Sequence, residues 1–143
     1  MITRIAQVSD AHLSPSRPFF AENFSRVAEA VRAAKPDLVL ATGDLSLDGA
    51  DSDADLEHAV AAHAAIGIEW RCVPGNHDVG DEPILGGRQP YDATRQERWE
   101  RLAGPTAWVH DIPGWRLIGL DTQSLTVNEA QWEVIARGMR DAG

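Results

Sequence analysis

Cysteine is nearly absent from this sequence: Cys72 is the sole one in 143 residues. No intrachain disulfide can form, and no cysteine-rich zinc site can be built. Lysine is equally scarce, with Lys35 alone against frequent arginine; this reads as a composition bias and carries no functional weight. Long apolar runs are missing as well. No stretch reaches the length of about 18 apolar residues that a membrane-spanning helix needs. The first residues, MITRIAQV, lack the apolar core of a secretion signal. A soluble, cytoplasmic protein that does not engage membranes is the expectation. Positive charge is also short, with a net charge of −9 and a pI near 4.9. Such a surface repels nucleic-acid phosphates, so non-specific nucleic-acid binding is not expected. Small phosphate substrates stay open, because a metal cluster can reverse the local sign inside a cleft.

What is present is an ordinary globular composition, 43% hydrophobic and 24% charged, on a chain long enough for one domain with a real core. A single domain over residues 1–143 is expected. Residues 2–9 alternate apolar and polar and predict a strand. Residues 21–34 carry Phe24, Val27, Ala28 and Val31 at helical spacing, with Asn23 and Ser25 near the start and Pro36 beyond the end. Residues 38–41 form a short apolar run typical of a buried parallel strand. Residues 53–66 are alanine-rich and helical, with acidic residues in the first turn that suit the macrodipole. Residues 68–73 predict a third strand. The order β-α-β-α-β implies a parallel sheet with right-handed crossovers. Residues 80–90 read as a Gly- and Pro-rich loop and residues 95–102 as a short helix. Residues 107–112 and 115–120, joined at Pro113-Gly114, read as a hairpin. Residues 128–139 read as a last helix.

Three motifs occupy equivalent places: Asp10-Ala11-His12 after the first strand, Gly43-Asp44 after the second, and Gly75-Asn76-His77-Asp78 after the third. In a parallel sheet these strand ends share one edge, where ligands bind. Asp10, His12, Asp44, Asn76 and His77 are therefore expected to converge. Carboxylates and imidazoles suit manganese, iron or zinc. Asp-x-His and Gly-Asp are weak signals alone. A given tetrapeptide such as Gly-Asn-His-Asp arises on the order of once in 10⁵ to 10⁶ positions, so the ordered set of three is a strong one.

On the segments VSDAHLS, PDLVLATGDLSLDG, VPGNHDVGD and WRLIGLDTQ, the chain resembles the calcineurin-like metallophosphoesterases from about Ile2 to Trp132. The resemblance implies an α/β fold, the N-terminal half of a four-layer α/β/β/α sandwich, and hydrolysis of phosphomonoesters or phosphodiesters by two divalent ions. By position, it implies Asp10 and His12 on the first metal, Asp44 bridging both, and Asn76 on the second. His77 would face the phosphate as leaving-group acid or phosphate-binding residue, with Asp78 in support. The family pattern continues with a later histidine and a Gly-His-x-His motif, and neither occurs here. The chain is accordingly expected to be truncated. The competing expectation is a catalytically incomplete fragment that binds one metal at most or needs a partner chain. Half a sandwich would leave a sheet face open, so self-association is expected too. A nucleotide-binding module is disfavoured, because no Gly-x-Gly-x-x-Gly or P-loop follows the first strand. His58, His63 and His110 read as structural, Cys72 as a small core residue, Arg17 as solvated, and the five tryptophans as packing.

Overall fold

The computed structural model describes residues 2–82, 88–124 and 128–140. Three strands, β1 (Ile5–Val8), β2 (Leu38–Thr42) and β3 (Trp70–Val73), form a parallel sheet in the order β1-β2-β3. Helix α1 (Ala21–Ala34) connects the first pair and α2 (Asp53–Ala64) the second. Residues alternate across the sheet, so Val8, Val39, Ala41 and Cys72 face the helices. Val8 and Val39 pack with Ala28 and Val31 of α1. Ala41 and Cys72 pack with Leu56 and Ala59 of α2. Burying one such aliphatic side chain stabilises by about 1.5–3 kcal/mol.

The opposite face is covered by a hairpin, β4 (Trp108–Ile112) and β5 (Trp115–Gly119). Trp108, His110, Ile112 and Leu117 turn toward the parallel sheet, and Trp108 Nε1 donates to the Cys72 carbonyl at 2.6 Å. A cleft of about 440 Å³ separates Leu40, Thr42 and Val73 from Trp108, Leu117 and Gly119. On the hairpin's other side lies α5 (Glu129–Arg140), where Gly138 sits against Ile118 and Val109. The layers thus run helices, parallel sheet, hairpin, helix. Edge strand β1 keeps Ile5 at 41% exposure, so the cover of this face is partial.

Two further elements hold the site loops. The four-residue turn α3 (Asn76–Val79) and helix α4 (Ala93–Leu102) follow β3. Helix α3 ends just before the expected loop of residues 80–90, of which residues 83–87 lie outside the described residues. So short a turn has no periodicity to read. It forms because Asp78 folds back to accept from the Gly75 N–H at 3.0 Å, while the Asp78 N–H donates to the Gly75 carbonyl. Helix α4 docks by ion pairs on α2 and on the turn before it: Arg98 and Arg101 both reach Asp53, and Arg95 reaches Asp51. The other elements end within three residues of their expected bounds.

The secondary residues sort as follows. His63 is buried, its Nδ1 is 2.8 Å from the Ala59 carbonyl, and its ring stacks on Trp70. Burial also pushes the Cys72 thiol up to about 12. His110 is half-buried near Glu69, and His58 is exposed. Arg17 is not simply solvated: its guanidinium is 2.8 Å from Asp48 and 3.5 Å from Asp55. The tryptophans divide. Trp99 is fully buried, whereas Trp115 and Trp132 are 72% and 58% exposed and contribute little packing.

Candidate metal centre

The three motif loops lie side by side because their backbones continue the pairing of the strands. The N–H of Asp10 donates to the Gly43 carbonyl, that of His12 to Asp44 and that of Leu13 to Leu45. The second and third loops are joined by Asp78. Its buried carboxylate accepts from the N–H groups of Leu45, Ser46 and Gly75 and from the Ser46 hydroxyl. Burial pushes the Asp78 carboxyl up, and these donors oppose that shift by favouring the charged form.

Close approach is written into two glycines. Gly43 has φ 98°, and a Cβ there would lie 3.1 Å from the Gly75 Cα. A Cβ on Gly75 would collide with the Asp44 carboxylate and backbone nitrogen. Non-glycine residues also take the left-handed region here: Asp10, His12 and Asp44 have φ of 57°, 46° and 50°. Among the described residues Lys35 alone shares that trait. Such backbone strain collects at functional sites, where surrounding contacts over-determine it.

The side chains gather around Asp44. Its Oδ1 accepts from the His77 N–H at 2.9 Å, and its Oδ2 is 3.8 Å from His12 Nε2. The His12 and His77 rings meet edge to face at 4.5 Å. One ligand atom from each of His12, Asp44 and His77 lies within 4.8 Å of the others. Donors held at about 2.0–2.2 Å from one ion can be up to about 4.4 Å apart, so the trio is nearly at coordinating distance. His77 Nδ1 donates to the Leu47 carbonyl at 2.7 Å, which leaves Nε2 its lone pair. A backbone acceptor of this kind fixes tautomer and ring orientation in metal-binding histidines. The donor set therefore fits a divalent ion.

The remaining candidates are more peripheral. Asp10 Oδ1 is 3.9 Å from His12 Nε2, its other oxygen accepts from the Ser9 hydroxyl, and its side chain is 66% exposed. Asn76 is half-buried, with Nδ2 3.5 Å from Asp81. Sequence reasoning placed His77 toward the phosphate alone, and the structure brings its ring into the donor group as well. It gave no sign of the Leu47 carbonyl, because a backbone acceptor leaves no trace in residue identity.

A family model described as calcineurin-like phosphoesterase matches residues 3–138. The chain belongs to the calcineurin-like phosphoesterases. A comparison with curated proteins finds no match. The calcineurin-like family's chemistry is metal-dependent hydrolysis of phosphoesters. Among the described residues no helix is long and apolar enough to cross a membrane.

Proposed function

We propose that this chain is a metal-dependent phosphoester hydrolase whose site is the edge formed by Asp10, His12, Asp44, Asn76 and His77. The observation that carries the reading is the gathering of His12, Asp44 and His77 at the ends of three adjacent parallel strands in a chain of this family. Asp10, His12 and Asp44 would hold one divalent ion, and Asp44 with Asn76 would hold a second. Bound there, such ions supply Lewis acidity toward a phosphoryl oxygen and neutralise developing charge. Asp44 links the ligand loops through its two oxygens. His77, with its ring fixed by Leu47, would present Nε2 to the substrate; in the imidazolium form, protonated on both ring nitrogens, it would pass the Nε2 proton to the leaving oxygen.

The test is metal content after dialysis, alongside hydrolysis of nitrophenyl and alkyl phosphoesters. His12→Ala and Asp44→Asn should abolish both. Asn76→Ala should lower metal content and harm both substrate types alike. His77→Ala should cut turnover of alkyl esters by about 10²- to 10⁴-fold and of nitrophenyl esters much less, because nitrophenolate leaves without a proton. Equal loss on both types, with metal retained, makes His77 a phosphate-binding residue.

One observation favours a second reading. Among the described residues His12, Asp44 and His77 form the one cluster of histidine and acidic donors, and Asp10 stands outside it. A chain of this kind would hold a single ion and bind phosphoesters without turning them over efficiently. One ion per chain, lost in His77→Ala, with negligible hydrolysis, would establish that reading over the first.

A further inference from the structure

Helix α1 begins in an unexpected way. Its N-cap is Phe20, and no side chain caps the first turn. Ser, Thr, Asp or Asn is preferred at this position because its oxygen satisfies an orphan N–H. Phe20 offers no such oxygen and is 40% exposed, so neither helix stability nor core packing explains the ring. Its position does. The Phe20 ring lies 5.8 Å from the His12 ring, beside the candidate metal centre.

Behind it opens a recess of about 110 Å³, lined by Val8, Asp10, Phe20, Asn23, Phe24 and Val27. The walls are mostly apolar, the single charged group is the Asp10 carboxylate, and no cation lines the space. A second anionic group would be repelled there, while a neutral hydrocarbon group would be sheltered from water. A closed apolar cavity of about 150 Å³ takes up benzene. This smaller recess is open to solvent, so it would shelter part of a single ring and leave the second ring of a fused bicycle in water.

We propose that the recess between Phe20 and α1 is the subsite for a neutral, single-ring or short branched alkyl group of the phosphoester, with Phe20 as its wall. The assignment rests on the metal-site reading above, which puts the phosphate next to Asp10 and His12. The conflict between Phe20 and its capping position is the kind of local inconsistency that functional sites impose.

The experiment uses the full chain loaded with manganese and three non-hydrolysable probes: methylphosphonate, phenylphosphonate and 1-naphthylphosphonate, titrated by calorimetry. Phenylphosphonate should bind about tenfold tighter than methylphosphonate, the scale at which small apolar pockets discriminate. Naphthylphosphonate should bind no tighter than phenylphosphonate. In Phe20→Ser the phenyl preference should vanish, with manganese content and methylphosphonate affinity retained. Serine is a favoured N-cap, so this variant should melt no lower than the parent. Val27→Phe, at a half-exposed position of α1, should fill the recess and give the same loss. Equal phenyl and methyl affinities in the parent overturn the proposal while leaving the metal site standing, as does a phenyl preference that survives both variants. A tighter naphthyl probe overturns the assigned size. If manganese is not retained, or neither small phosphonate binds, the metal-site reading falls and the subsite falls with it.

Discussion

The loops at the end of the parallel sheet and the hairpin layer that covers its second face are built on different principles. In the loops, Ala11, Leu13, Leu45, Ser46, Asp78 and Val79 are all at or below 8% exposure, and the buried polar groups of Ser46 and Asp78 are paired with each other. In the hairpin layer, β4 buries no residue fully and β5 buries only Gly119. Helix α5 buries Gln131 and Gly138, while Trp132 and Met139 stay 58% and 69% exposed. Ligand atoms must be held to a fraction of an ångström, and only over-determined backbone does that. Covering a sheet face asks for apolar area alone, and many side-chain arrangements supply it. Precision is concentrated at the candidate metal centre.

The comparison breaks most visibly at Asp78. Removing a buried acceptor leaves several neutral donors unpaired, and each costs about 1–3 kcal/mol, so that the loss is on the order of several kcal/mol. Asp78→Ala should therefore lower unfolding free energy by about that amount in urea titration and abolish metal binding, although Asp78 is not among the candidate ligands. A loss below about 1 kcal/mol would mean that the loops are held by something other than this carboxylate.

Gly75→Ala should act next most strongly and more selectively. The new methyl group collides with the Asp44 carboxylate and with the Asp44 backbone nitrogen, and the latter cannot swing aside. Overpacking of this kind costs about 1–3 kcal/mol, and metal affinity should fall by at least about 10-fold to 100-fold, the range seen when ligand support is lost. Isothermal titration with manganese checks this. Unchanged affinity would show that Asp44 keeps its place despite the collision.

A third effect depends on pH. Burial lowers the pKa of His63 below the ordinary imidazole value of 6.5. The unfolded chain then takes up a proton that the native chain refuses. Stability is fully present above pH 6.5 and is lost as pH falls from there toward the folded pKa, at up to about 1.4 kcal/mol per pH unit. His63→Leu should flatten the denaturation profile in that window. An unchanged slope would assign the acid sensitivity to other groups.

The sequence revealed the site better than the supports around it. β1, β2, β3 and the three strand-end motifs were legible because apolar alternation and rare residue combinations are local signals. Helix α3 was not, since its four residues carry no period and its form depends on Asp78 reaching back to Gly75. The span of α1, residues 21–34, was legible from its apolar spacing, but its cap was not: the chain enters the helix at Phe20, which carries no capping oxygen. The clamp of Arg95, Arg98 and Arg101 onto Asp51 and Asp53 spans more than 40 residues, and no pattern in either segment announces it. The convergence of His12, Asp44 and His77 followed from topology. The exact partition of roles among them depends on distances that only three dimensions supply.

The smallest expected effect lies in the hairpin layer and sharpens the comparison itself. Arg116 pairs with Asp111 across β4 and β5, and its guanidinium also donates to the Gly138 carbonyl of α5 at 3.3 Å. The Arg116 hydrogen bonds hold the Asp111 carboxyl below its ordinary range. That link is intact above the unfolded carboxylate pKa and is lost as pH falls through the folded one. Both partners are accessible to solvent, so salt weakens the pair. Arg116→Ala should barely move the midpoint of global unfolding and should leave metal affinity unchanged. It should speed hydrogen exchange at the amides of β4, β5 and α5 selectively, because those elements open locally while β2 exchanges through global unfolding. Acidification should speed the same amides in the parent chain and have no further effect on them in the variant. If the hairpin amides instead exchange only with those of β2, at one common free energy, the two regions are a single cooperative unit. The hairpin layer would then be as firmly built as the loops it stands beside.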